Sequence, residues 1–384
     1  QAHIAANGKL SSYMDVDDMG RYPDQRKRAK AILLVHSNHA ILPGNEIHKL
    51  INTGHSTGYH RTLDAHEVFG VPFALHITPT LASAIQWAAV DPAANKPWLD
   101  GPAFNDRLSL LAQDGRASLL GTTFSDHIIQ YFSDDFNRDN IALSRHFLDR
   151  IYHANPSTSV LWTPERVANG TAFSRIRSMG FSHTFIDQMR HFWKWQGRMA
   201  ALSNDGYRLN RYHGVNCFLI NEQASNSRYS NDDHGLPMAL RRLYHRKARS
   251  ATQDQVIVLY HHWDELQDWD NAAAYDASLR WVANKTWIQL VTPQQIANGE
   301  IDIDRDAQGD NWHAIDRGSP TLPTVAHDWL QHASGDDFSN WYNGLPGVEE
   351  GLRDKVFESR PGKAIPHAFG TQGAGDGKLS DLTW

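Results

Sequence analysis

The chain has 384 residues, 41 % of them hydrophobic and 21 % charged, which supplies a packed core and excludes wholesale disorder. A net charge of −6 argues against the broad basic face that nucleic acid or an anionic membrane demands, so neither is an expected partner. No apolar run reaches the roughly 18 residues of a membrane span, and the single cysteine, Cys217, excludes an internal disulfide framework or a Cys-rich zinc module.

Two counts stand out, 22 His and 13 Trp. The first invites a metal; the second invites a ligand with flat apolar faces, such as sugar rings. The opening Gln1-Ala2-His3 lacks an initiator Met and a charged-then-apolar leader. The expectation is therefore a mature secreted or periplasmic chain whose signal peptide has been removed.

In chain order, residues 1–29 are polar, end in Arg26-Lys27-Arg28 and read as an N-terminal extension. Residues 31–35 form a short continuous apolar run, as expected of a strand buried on both faces. Further strands are predicted at 71–77, 116–120, 159–162, 183–186, 215–220 and 256–260, with a last β signal at 288–291. Helical patterns lie between them at 80–89, 140–153, 165–179 (ending at Gly180), 238–247 and 276–283. Apolar strands alternating with helices predict parallel β with helices outside, and the number of units suits a distorted (β/α)7 barrel over residues 30–300. Residues 301–358, with Trp312, Trp329 and Trp341, read as a small helical appendage packed on the barrel, and 359–384 as a flexible tail or linker start.

In such barrels chemistry sits on the loops past the C-terminal ends of the strands. Those positions carry His36 and His39 after the first strand, His76 on the second, Asp126 and His127 after the third, and Trp162, Glu165 and Arg166 after the fourth. Asp187 ends the fifth, and the seventh gives His261, His262, Trp263, Asp264 and Glu265. Each alone is commonly packing or capping; a ring of them suggests a sugar site. Glu165, after a Trp and a Pro and opening the 165–179 helix, is placed where a helix dipole favours an ionised carboxylate. An ionised, positioned carboxylate is what a glycosidase nucleophile needs, and Asp264 or Glu265 supplies the partner expected about 5–5.5 Å away in a retaining enzyme. Arg166 either orients Glu165 or is an ordinary helix cation. Asp187 either binds a sugar hydroxyl or caps the next helix. Cys217 reads as inert core.

Several segments resemble glycoside hydrolase family 57. His36-Ser37-Asn38-His39, residues 59–63 and residues 73–81 are similar to the opening of that family. Leu161-Trp162-Thr163-Pro164-Glu165-Arg166-Val167 is similar to the segment carrying its nucleophilic Glu, residues 180–187 to the strand that follows, and residues 256–269 to the strand and loop carrying its acid/base Asp. The resemblance covers roughly residues 30–295. It implies a distorted (β/α)7 barrel that acts with retention on α-glycosidic bonds of a poly- or oligosaccharide, as hydrolase or transglycosylase, without a cofactor. Asp264 is then the leading acid/base. One departure stands out: aligned on Trp269, the family's acid/base Asp falls on His262 and the following Glu on Asp264.

Two other readings stay open from sequence. One is a metal-dependent, polysaccharide deacetylase-like hydrolase: His55-Ser56-Thr57-Gly58-Tyr59-His60 is close to the metal motif of those enzymes but one residue too long, and His36, His39, His127 or His261 with a carboxylate could hold an ion, although no complete metal motif is present and no metal is assigned. A non-catalytic carbohydrate-binding barrel, using Trp162, Trp193, Trp195 and Trp263 as stacking platforms, is the other. The sequence leaves the oligomeric state open.

Overall fold

The computed structural model describes residues 29–38, 58–87, 100–124, 126–129, 132–168, 170–193, 204–221, 225, 240, 256–263, 269–285 and 288–301. The expected N-terminal extension, the 238–247 helix except Leu240, nearly all of the C-terminal appendage, the tail, His39, Trp195, Asp264 and Glu265 lie outside them. So do the side chains of Glu165 and Trp193.

Among the described residues nine strands form one sheet: β1 (Ala29–Ser37), β2 (Phe73–Ile77), β3 (Ala117–Leu119), β4 (Val160–Leu161), β5 (His183–Asp187), β6 (Asn210–Tyr212), β7 (Val215–Ile220), β8 (Val256–His262) and β9 (Ile288–Leu290). Seven run parallel in the order β3-β2-β1-β8-β7-β5-β4, and β9 pairs in parallel with the start of β1 off that path. A parallel bridge between Gly121, just past β3, and Leu161 of β4 joins the two ends of that order. Gly121 donates to Val160 O at 2.9 Å and accepts from the Trp162 amide at 2.8 Å. A Cβ at Gly121 would lie 2.5 Å from the Phe181 ring and 2.9 Å from Ser157 O, so the closing point is built for glycine. The α/β architecture is that of a (β/α)7 barrel.

The helices flanking the sheet are α1 (Gly58–Phe69), α2 (Pro79–Trp87), α3 (Gly101–Gln113), α4 (Asp134–Tyr152), α5 (Gly170–Ser178), α6 (Trp269–Ala283) and α7 (Pro293–Ala297). Their ends are written in the sequence. Ser133 accepts from the Phe136 amide ahead of Asp134 and Asp135, and Thr292 with Gln295 forms a capping box around Pro293. The predicted 165–179 helix is a correction: Pro164–Arg166 is a short 3₁₀ turn, Arg166 takes a left-handed φ of 55°, and the α-helix begins only at Gly170. Glu165 is thus on a tight turn rather than at the mouth of a helix dipole. The hairpin of β6 with β7, turning through His213 and Gly214 at φ 47° and 81°, was not anticipated.

Alternation along the strands sorts side chains into layers. Ile32, Leu34, Ala74, Val160, Phe185, Phe218, Ile220, Val256 and Val258 pack together in the barrel interior. Residues of the opposite parity face the helices: Ala31, Leu33, Val35, Phe73, Leu75, Ile257 and Leu259 meet α1, α2, α3 and α6, and Leu161, Ile186 and Leu219 pack with Ile141 of α4 and Phe173 of α5. This parity decides which strand-end residues can reach the mouth.

Candidate active site

By parity, His36, His76, Trp162, Asp187, Tyr260 and His262 continue the interior rows, and they converge at the C-terminal ends of the parallel strands. His36 Nδ1 lies 2.7 Å from His76 Nδ1, and the two rings are within 9° of parallel. His76 Nε2 lies 2.7 Å from Thr122 Oγ1 and 3.6 Å from Asp126 Oδ1. Asn38 Nδ2 donates to Asp126 Oδ2 at 2.7 Å. Burial, and after it the charge of His262, holds His76 well below the usual imidazole pKa, so it is neutral.

A second chain starts across the interior. Arg166 Nε pairs with Asp187 at 2.9 Å, its Nη1 donates to the Tyr260 hydroxyl at 3.1 Å, and its guanidinium lies 4.9 Å from the Tyr260 ring centroid. The same hydroxyl is 2.8 Å from His262 Nε2. Because arginine only donates, the hydroxyl accepts from it and has its own proton to offer His262. His36 lies 5.0 Å from the His262 ring, edge to face, and so links the two chains.

Backbone conformation singles out the same place. Among the described non-glycine residues with left-handed φ, His153 caps α4 and His213 makes the hairpin turn. The other two, Asp126 (φ 57°) and Arg166 (φ 55°), belong to the mouth, as strained backbone at functional sites commonly does.

Other strand-end residues are placed elsewhere. Trp162 is fully buried, with His36 at 4.7 Å, His76 at 5.1 Å and Tyr260 stacked at 5.7 Å, so it is a floor under the site rather than a platform for a sugar. Trp263 is fully buried on the helix side of β8, stacked on Tyr59 at 4.1 Å. His261 has the outward parity and packs against Tyr275 of α6 at 4.9 Å. His127 turns to Asn137 Oδ1 (2.7 Å) and lies between Phe132 and Phe136, and burial pulls its pKa down to about 4. The described contacts of His127, His261 and Trp263 are thus packing contacts, on the helix side rather than with the converging histidines. Of the two readings of Arg166, that of an ordinary helix cation is a correction: it lies on the 3₁₀ turn, paired with Asp187 and donating to the Tyr260 hydroxyl. Asp187 ends β5 as an ion-pair partner of Arg166, and its amide donates to His191 Nδ1 at 2.9 Å.

Asn38, Thr122 and Tyr260 belong to the site and were not singled out from the sequence. Tyr260 was accessible to a parity count, two residues before His262 on one strand. A cavity of about 460 Å³ lies far from this mouth, at the opposite strand ends, lined by Ala117, Ser118, Pro156, Thr292, Gln295 and Glu300 among others. It holds none of the converging histidines.

A mostly parallel, curled sheet with carboxylate, imidazole and guanidinium groups gathered beyond its strand ends defines the class, an α/β fold of (β/α)7-barrel type. Its residues 47–306 match the profile of glycosyl hydrolase family 57, and the chain belongs to that family, whose members act on glycosidic bonds. The chain is similar in structure to a 4-alpha-glucanotransferase from Thermococcus litoralis, with 16 % identity and a TM-score of 0.52 over 88 % of this chain and 51 % of that one. It thus spans about half the length of that enzyme. It is also similar to the alpha-amylase AmyC from Thermotoga maritima (11 % identity, TM-score 0.51, 92 % and 95 % covered). A GH57-type branching enzyme from Pyrococcus horikoshii aligns with 10 % identity and a TM-score of 0.50 over 89 % and 84 %. At these identities the likeness is one of fold. No curated protein matches the chain.

Proposed function

We propose that the protein cleaves or transfers α-glycosidic bonds of an α-glucan-type poly- or oligosaccharide with retention of configuration. Glu165 is the nucleophile and Asp264, two residues past the end of β8 in sequence, is the acid/base. The observation that carries this reading is the position of the Pro164–Arg166 turn. It follows β4 directly and is tied through Arg166 to Asp187 and Tyr260, in the same mouth as His36, His76 and His262. The backbone of this turn is fixed by the bonds of Arg166, and a nucleophile needs a fixed backbone of this kind beneath it.

The activities of the similar structures, glucanotransferase, amylase and branching enzyme, support α-glucans as the substrate class. His262 stands where the family carries its acid/base Asp. The Tyr260 hydroxyl accepts from Arg166 and has its own proton to offer His262 Nε2; in this reading Asp264 is the proton donor. The test is incubation with maltoheptaose, with products resolved by chromatography and the first-formed anomer read by proton NMR. Early α-anomer, whether from hydrolysis or disproportionation, is the expected result. Early β-anomer overturns the retaining mechanism, and no product from any α-glucan overturns the substrate class.

A further inference from the structure

The cavity at the strand ends opposite the mouth opens where the seam between β3 and β4 is incomplete. Phe73 N donates to Arg116 O at 2.8 Å and Leu120 N to Leu75 O at 2.9 Å, so the even residues of this segment turn their backbone groups to β2. Ala117, Leu119 and Gly121 turn theirs toward β4. Gly121 is paired there, and Leu119 O accepts from Ser157 N at 2.9 Å. Toward the start of β3 no further backbone bond crosses the seam among the described residues, and the cavity of about 460 Å³ lies at that gap. The Leu119 amide and both backbone groups of Ala117 therefore point to it without a partner among the described residues, although the two residues are only 5 % and 2 % exposed. Backbone groups at that depth are nearly always paired, so this edge is a place for the polar atoms of a bound molecule.

The wall around that edge has the chemistry of a site for a neutral polyol. Ser118 and Thr158 bring hydroxyls and Asn155 an amide, none of them bonded to another described residue. Gln295 gives Oε1 to the Thr292 amide at 3.0 Å and keeps its Nε2 protons. The lining has one charged side chain, Glu300, and no cation, which disfavours phosphate or carboxylate ligands. Ala112, Ala154 and Pro156 add apolar surface for the C–H face of a sugar ring. The frame is preorganised: Ser157 Oγ accepts from the Ser159 and Val160 amides at 3.1 and 2.8 Å and bonds Gln294 of α7, whose start is fixed by the Thr292–Gln295 capping box. We propose that this cavity is a second saccharide site, separate from the mouth, which takes about one or two units of a neutral glycan against the open edge of β3. Its role rests on the reading of the mouth as an α-glucan site: a polymer anchored here raises the concentration of chain at the mouth.

The experiment is backbone ¹H–¹⁵N NMR of the full chain titrated separately with maltose, cellobiose and inorganic phosphate. The expected result is a saturable shift of the Leu119 and Ala117 amides with a sugar and none with phosphate. Asn155→Trp, which fills the cavity from an exposed position, should abolish those shifts, and Glu165→Gln should keep them. Ser118→Ala with Thr158→Val, which removes hydroxyls and leaves the walls in place, should weaken the saturation about tenfold. In turnover assays Asn155→Trp should lower kcat/KM on amylose about tenfold and leave that on maltotriose near wild type. Amides of Leu119 and Ala117 that neither sugar shifts, shifts that survive in folded Asn155→Trp, or saturation by phosphate alone would overturn the site. Equal kcat/KM on amylose for wild type and Asn155→Trp would overturn the anchoring role. Sugar-dependent shifts at Leu119 in a chain that turns over no α-glucan would strike the substrate reading and leave the second site standing.

Discussion

His66 provides a sharp test of how the layer between barrel and helices is held. Its Nδ1 lies 2.8 Å from Val71 O and must donate there, and its Nε2 lies 2.6 Å from the Tyr275 hydroxyl and accepts. Neutral His66 is therefore fully satisfied, and a second proton would have to enter at Nε2 and turn the Tyr275 bond around. Burial pulls its pKa down from 6.5 to about 4, partly offset by the Val71 bond. Because the folded pKa is depressed, the unfolded chain binds more protons between pH 6.5 and 4, so this contribution to stability is complete above about pH 6.5 and is lost as pH falls through that window. From pH 7 to pH 5 the linkage relation gives a loss of about 2 kcal/mol for this one ring. His66→Gln keeps an amide donor and an acceptor but cannot titrate. Urea unfolding of both proteins at pH 7 and pH 5 should show wild type losing about 2 kcal/mol more than the variant over that interval. Equal losses would refute the claim that His66 is buried and neutral. His127 and His191, each also pulled down to about 4 with burial as the leading cause, supply the acid lability that remains in the variant.

Trp263→Ala should cost about 3–5 kcal/mol of stability by removing a fully buried ring from against Tyr59, while maltoheptaose affinity measured by calorimetry on the folded variant stays near wild type. A selective loss of affinity with little loss of stability would return Trp263 to the role of sugar platform. Arg166→Met strands the buried Asp187 carboxylate and should lower stability by about 3 kcal/mol. Adding Asp187→Asn should recover part of that loss; a fully additive double variant in chemical denaturation would mean that the two do not interact.

Much of the barrel was legible because its strands are short, continuous apolar runs punctuated by turn residues, and these mark parallel strands buried on both faces. The helix at 165–179 was misread because the apolar periodicity of Phe173 and Ile176 runs on from Val167 and Ala168, whereas Pro164 and the left-handed Arg166 close a separate turn first. The β6–β7 hairpin escaped because β6 is a short, polar strand, Asn210–Tyr212, whose one cue is the His213-Gly214 turn.

At the site, residue type and loop position found His36, His76, Asp126 and His262, but type alone could not separate His262 from His261 or Trp162 from Trp263. Strand parity does so, placing His262 inside with Val258 and Tyr260 and His261 outside with Leu259. The count of 22 His likewise divides by environment. His66 and His127 are packing groups with depressed pKa values, and His36 with His76 forms a hydrogen-bonded pair. Thr122 could not be read from sequence at all, since its 2.7 Å contact with His76 Nε2 exists only in the fold.

The central claim is that Glu165 is the group that takes the sugar. Its most direct test is trapping with a 5-fluoro-α-glucosyl fluoride, followed by proteolysis and mass spectrometry. The account predicts one glycosyl adduct, on the peptide containing Glu165, and none in Glu165→Gln. An adduct on a peptide from another strand end, or undiminished turnover by Glu165→Gln, would contradict it.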